Sequence, residues 1–153
     1  MASHIDHLRH ALALAKQCLP SPTAFCVGAV LVGPGGEVLS TGFSRELPGN
    51  THAEQCALEK MLPGTPPQGS TMYTTMEPCS ERLSGNKPCL YRILDAGGIA
   101  TVVVGAKEPK TFIQENVCER VLQDGGIAYV HVSGLEKEIL EAAERGHGMK
   151  GGA

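Results

Sequence analysis

Tryptophan is absent from this sequence, and all aromatic residues together make up 4% of it. Positive charge is not in excess either: 13 Lys and Arg against 16 Asp and Glu leave a formal net charge of −3. A surface that grips nucleic acid needs a basic stripe, often with rings on which bases stack. Neither is present, so no nucleic acid partner is expected. No apolar run approaches the roughly 20 residues that cross a bilayer, so no membrane is expected. The N-terminus carries His4, Asp6, His7 and His10 where a secretory signal would carry an apolar block. The expected location is cytoplasmic. There the six cysteines, 18, 26, 56, 79, 89 and 118, read as reduced thiols or metal ligands more readily than disulfides. Cys18, Cys26, Cys56 and Cys118 are expected to be small buried hydrophobes.

What is present is enough chain for one domain with a real core, 153 residues. Residues 1–146 read as that domain and 147–153 as a flexible tail. Ser3-x-x-Asp6 has the form of a capping box, and Ile5, Leu8, Leu12, Ala15 and Leu19 follow at helical spacing. Pro20 and Pro22 close that first helix. Val27–Val32 and Glu37–Phe43 flank Gly33-Pro34-Gly35-Gly36 and predict a hairpin. A helix from Thr51 to about Leu62 follows, then a strand over Thr71–Thr75. Helices over 88–96 and 112–124 alternate with strands over 99–104 and 127–132, and a last helix spans 135–145. Gly97-Gly98-Ile99-Ala100 and Gly125-Gly126-Ile127-Ala128 are identical and predict one helix-to-strand joint used twice.

This order predicts an α/β protein, with a five-stranded mixed sheet. Strands joined through a helix run the same way, so strands two to five are parallel and strand one, through its hairpin, is antiparallel. Sites in open α/β sheets lie beyond the carboxyl ends of the strands. That edge gathers the loops 43–51, 75–88 and 105–111. It brings together His52, two positions from Glu54, with Cys79 and Cys89. Zinc takes three His/Cys ligands and keeps a fourth position for water.

Each residue alone is weak. Thr51-x-x-Glu54 also fits a capping box, which would make Glu54 a helix cap. His52 alone suits a solvated loop, and Cys79 and Cys89 alone could be inert thiols. Together, His-x-Glu followed by Pro-Cys and a further Cys resembles the zinc deaminase signature, in which the Glu shuttles protons. The stretch Thr75-Met76-Glu77-Pro78-Cys79 through Lys87-Pro88-Cys89 is similar to the pyrimidine deaminases of riboflavin biosynthesis, above all the fungal ones. Val27-Gly28-Ala29-Val30, His52-Ala53-Glu54 and Ala106-Lys107-Glu108-Pro109 extend the likeness over nearly the whole chain. Most cytosine, cytidine and tRNA-adenosine deaminases hold their two cysteines two residues apart; the long gap here resembles the riboflavin branch.

The resemblance implies the three-layer α/β/α cytidine deaminase-like fold, Zn2+ as cofactor on His52, Cys79 and Cys89, and Glu54 as proton shuttle. It implies hydrolytic removal of an amino group from a phosphorylated pyrimidine, 2,5-diamino-6-ribitylamino-4(3H)-pyrimidinone 5′-phosphate, by a free-standing homodimer or larger homo-oligomer. The phosphate calls for cationic or N–H donors, and the mouth loops supply Arg45, Arg82, Asn86, Lys87, Lys107 and Lys110; Lys87 and Arg82 come first. Two departures from the bacterial members stand out. Pro22-Thr23-Ala24-Phe25-Cys26 replaces their Asn-Pro motif, and the cysteine gap is one residue longer. Two other readings stay open, a zinc deaminase acting on cytosine, a nucleoside or a guanine-type base, and a zinc module with no activity.

Overall fold

The computed structural model describes residues 3–21, 24–79, 87–107 and 117–146. Ser3 opens helix α1 (His4–Ala15) as the spacing requires. Its hydroxyl accepts the Asp6 N–H at 3.3 Å, and its own N–H donates to the Asp6 carboxylate at 3.0 Å. The helix stops at Ala15, one turn short of the apolar pattern, and Leu19 is 79% exposed. Two distant arginines take the carbonyls there. Arg145 donates to Lys16 O and Cys18 O, and Arg45 donates to Leu19 O at 2.7 Å. Pro20 has no N–H to offer Lys16 O, so these charged donors satisfy carbonyls that a longer helix would have left unpaired.

The hairpin forms as β1 (Gly28–Val32) and β2 (Val38–Phe43), antiparallel, with a register shift between Leu31 and Val32. Then come α2 (Ala53–Glu59), β3 (Ser70–Met76), α3 (Cys89–Ala96), β4 (Ile99–Ala106), α4 (Val117–Asp124), β5 (Ala128–His131) and α5 (Glu136–Ala143). Residues 112–116 of the expected fourth helix, and the tail 147–153, lie outside the described residues. The sheet order is β2-β1-β3-β4-β5. β1 is antiparallel to both neighbours, and β3, β4 and β5 are mutually parallel. β2 and β3 therefore point the same way although β1 lies between them, and the carboxyl ends of β2 to β5 share one edge, as the connectivity requires.

Strand alternation divides the core into two layers. Val30, Val32, Tyr73 and Val103 face α1 and α5 with Leu8, Leu12 and Ile139. Ala29, Leu31, Met72, Val102 and Val104 face the other way, with Ala53 and Ala57 of α2, Leu90 and Ile93 of α3 and Leu122 of α4. This is the three-layer α/β/α sandwich. The close approach of α2 depends on Gly42, where a Cβ would sit 2.2 Å from Ala53 O. The two glycine pairs differ in detail. Gly97 and Gly98 both have positive φ, 74° and 81°, whereas in the second pair only Gly126 does, at 84°. Gly98 has a reason of its own, because a Cβ there would meet Pro66 O at 2.0 Å. The repeated tetrapeptide therefore serves two different joints.

Of the histidines without an assigned role, His7 is on the buried face of α1, its ring centroid 4.6 Å from that of Tyr73, and His4 shares a 2.7 Å hydrogen bond with the Tyr73 hydroxyl. His131 lies 3.3 Å from the Glu136 carboxylate. His4 and His7 thus pack on Tyr73, and His131, the last residue of β5, pairs with α5.

Candidate metal centre

The loop after β2 ends at His52, which caps α2 from an extended conformation, φ −96° and ψ 161°. The capping box falls one residue later than the sequence suggests. The His52 N–H donates to the Gln55 side chain at 3.3 Å, and the Thr51 hydroxyl donates to Leu47 O at 2.8 Å. Glu54 is thereby excluded as a cap. Its place one position past the helix start turns it inward, onto the sheet, where it is 3% exposed.

Cys79 sits three residues beyond β3, and Cys89 opens α3. The chain between them returns so that the Cys89 N–H donates to Cys79 Sγ at 3.3 Å and the Leu90 N–H to Cys79 O at 3.1 Å. Cys79 Sγ lies 3.5 Å from His52 Nδ1. One ligand atom from each of His52, Cys79 and Cys89 falls within 4.8 Å of the others, and among the described residues no other group of this kind could hold a metal. The Cys79 thiol is drawn down to about 4, chiefly by a hydrogen bond from the Cys89 thiol, with His52 and the Cys89 N–H adding to it. A ligand set of one imidazole and two sulfurs, one of them readily a thiolate, fits zinc. Three protein ligands leave a position for water, the arrangement of a catalytic site rather than a closed structural one.

Beside these ligands, burial pushes the Glu54 carboxyl up to about 6, and the nearby Cys79 adds to the rise. A carboxyl with that pKa can exchange protons near neutral pH. One partner was not foreseen. Thr74, fully buried on β3, places its hydroxyl 3.2 Å from Glu54 Oε2 and 2.8 Å from Met76 O. A hydroxyl has one proton and can serve only one of these acceptors as donor at a time. It donates to the carboxylate when Glu54 is charged. When Glu54 is protonated it can accept from the acid and donate to Met76 O. Both states of Glu54 thus have a partner, which a valine could not provide. Threonine is an ordinary strand residue, so nothing in the sequence singles this one out.

The expected phosphate contacts divide. Arg82 and Asn86 lie in residues 80–86, outside the described residues, as does Lys110. Lys87 is exposed and its ammonium pairs with Asp95, near the far end of α3. Arg45 is engaged with Leu19 O and Cys18 Sγ. Lys107, exposed directly after β4, does stand on the carboxyl edge.

Residues 1–106 match the family described as the cytidine and deoxycytidylate deaminase zinc-binding region. The chain belongs to that family, whose zinc is its cofactor. Within it, the chain is 44% identical to the diaminohydroxyphosphoribosylamino-pyrimidine deaminase of Schizosaccharomyces pombe over 97% of its own length. It covers 36% of that relative, so it spans about a third of the curated protein that it matches. The Rib2 deaminase of Aspergillus oryzae, solved as a C-terminal deletion mutant in complex with DARIPP, superimposes with a TM-score of 0.83 at 40% identity, over 95% of this chain and 92% of that one. The deaminase/reductase of Thermotoga maritima gives 0.72 at 31% identity, over 92% of this chain and 39% of that one. The sequence resemblance to the riboflavin branch, and the fold it implied, are borne out.

Two outcomes test this geometry. Purified protein should carry about one zinc per chain by elemental analysis, and Cys79→Ala or Cys89→Ala should lose it; full retention in both would refute the ligand set. Thr74→Val should lower the unfolding free energy by about 1–3 kcal/mol in denaturant titration, because it strands buried acceptors, while Thr74→Ser should keep most of it. Equal stability of Thr74→Val and the parent would show that the hydroxyl has no such role.

Proposed function

We propose that this chain is a hydrolytic deaminase of a phosphorylated pyrimidine in riboflavin biosynthesis, acting on 2,5-diamino-6-ribitylamino-4(3H)-pyrimidinone 5′-phosphate. The observation that carries the reading is the buried Glu54, raised towards neutrality, beside a three-ligand centre with an open position. A non-enzymatic zinc module would have no use for such a carboxyl. The choice of substrate rests on the likeness to the Aspergillus and fission yeast deaminases. The unbridged state of all six cysteines goes with a cytoplasmic location.

His52, Cys79 and Cys89 hold the zinc in this reading. When bound, zinc supplies Lewis acidity that makes a water nucleophilic near neutral pH. Glu54 accepts the proton of the attacking water and returns it to the ring nitrogen, then carries the remaining proton of the added hydroxyl to the departing amine. Thr74 steadies the carboxyl in both states. The balance is one water consumed and one ammonia released, the amine-bearing ring carbon becoming a carbonyl. Burial of Glu54 keeps its proton from bulk water between the two transfers. Lys107 is the first candidate for the phosphate among the described residues, with Lys87, Arg82 and Asn86 on the neighbouring loop.

The fission yeast relative is named for a ribosylamino compound, so the ribosyl form is the second substrate to compare. The test is ammonia release from the ribitylamino and ribosylamino phosphates, their dephosphorylated forms, and cytosine, cytidine and adenosine. The ribitylamino phosphate should give the highest kcat/KM, and Lys107→Ala should erode its advantage over the dephosphorylated form. A site with buried donors for a polar tail rejects analogues that lack it. Glu54→Gln should keep zinc and lose at least about 100-fold in kcat. Cytidine or cytosine as the best substrate would overturn the assignment, and near-normal turnover of Glu54→Gln would overturn the role of Glu54.

A further inference from the structure

Two cysteines outside the metal centre do not behave as separate buried hydrophobes. Cys18 lies past the end of α1 and Cys26 just before β1, both 1% exposed. Their sulfurs are 2.7 Å apart, across a separation of eight positions in the chain. A disulfide holds its sulfurs at about 2.0 Å, so little movement separates this contact from a bond. The pair is fixed from several sides. The Cys26 N–H donates to Ala143 O at 2.9 Å, tying that end to α5. Arg145 donates to Cys18 O, and Arg45 Nη2 donates to Cys18 Sγ at 2.9 Å and reaches Cys26 Sγ at 3.9 Å.

We propose that Cys18 and Cys26 form a dithiol that closes into an intramolecular disulfide when a hydroperoxide reaches the connection between α1 and β1. One sulfur attacks the peroxide, the O–O bond breaks, and an alcohol leaves with a proton while the sulfur becomes a sulfenic acid. The second sulfur attacks the first, the S–S bond forms, and the sulfenic oxygen leaves as water. The two thiols are oxidised by two electrons and the peroxide is reduced by two. Leu19 and Phe25, exposed between the two cysteines in sequence, mark the solvent side of the pair.

Burial pushes the Cys18 thiol up to about 12, the Cys26 sulfur adding to it against the pull of Arg45 and Arg145. The resting thiol is therefore protonated and a poor nucleophile, and closure needs a strong oxidant in excess. Its effect would pass to Arg45. That residue holds φ +62°, unusual for a side chain of its size, and its N–H donates to Thr51 O at 2.7 Å, next to His52. Bridging removes the Cys18 thiol proton, and the sulfur that accepts from Arg45 becomes a disulfide sulfur. The sulfur pair thus adjoins the loop that delivers His52, without being part of the metal centre.

The test uses zinc-loaded protein and excess tert-butyl hydroperoxide, followed by unfolding, alkylation and tryptic mass mapping. Cleavage after Lys16 and Arg45 places both cysteines in one peptide, residues 17–45. That peptide should appear unalkylated and two hydrogens lighter, and dithiothreitol before alkylation should restore two alkylatable thiols. Cys56 and Cys118 should alkylate as in the untreated control. In Cys18→Ser the lighter form should vanish and Cys26 should appear as a separate oxidation product. The proposal is overturned if both thiols of the peptide alkylate as before treatment. It is equally overturned if they end as separate sulfinic acids, or if either is found bridged to another cysteine.

Discussion

The structure depends on bringing three soft or borderline ligand atoms, from three separate places in the chain, within 4.8 Å of one another. Neither imidazole nor thiolates gain anything from that crowding by themselves; the arrangement is held by the frame around it. β1 runs antiparallel between β2 and β3, so the loop after β2 and the loop after β3 emerge on the same edge. α2 then starts at one of these loops and α3 at the end of the other. Each helix brings backbone N–H groups to the centre, of which the Cys89 N–H on Cys79 Sγ is the visible case. Removing a sulfur thus costs metal affinity and the local fold together.

The same frame sets the chemistry of Glu54. A carboxyl two positions past a helix cap would ordinarily face solvent and stay ionised. Here Gln55 takes the capping role, and α2 lies so close over Gly42 that Glu54 is turned onto β3. Burial raises its pKa, and Thr74 supplies the hydrogen bond that makes burial tolerable in either state of charge. The catalytic property attributed to Glu54 is therefore a consequence of helix placement, and α2 is placed by glycine and alanine residues that carry no chemistry.

The parts of this arrangement legible in the sequence are those written locally. Ser3 and Asp6 declare a helix start, the apolar runs declare strands, and His52, Glu54, Cys79 and Cys89 form a pattern with few other uses. The parts that were not legible depend on distant partners. Leu19 continues the helical pattern of α1, yet the helix ends at Ala15, and Arg45 and Arg145, far away in sequence, satisfy the carbonyls of Lys16, Cys18 and Leu19. Thr51-x-x-Glu54 and His52-x-x-Gln55 are both acceptable capping pairs, and only packing on the sheet decides between them. The ion pair of Lys87 with Asp95, eight residues on, is likewise visible only in the fold. The identical glycine tetrapeptides differ because Pro66 passes over one of them and not the other.

Arg45 shows how far such non-local contacts reach. Its backbone N–H holds Thr51, the residue before a metal ligand, while its guanidinium grips the end of α1. A non-glycine residue at positive φ persists only where its surroundings hold it there. The position of His52 therefore depends on the connection between α1 and β1.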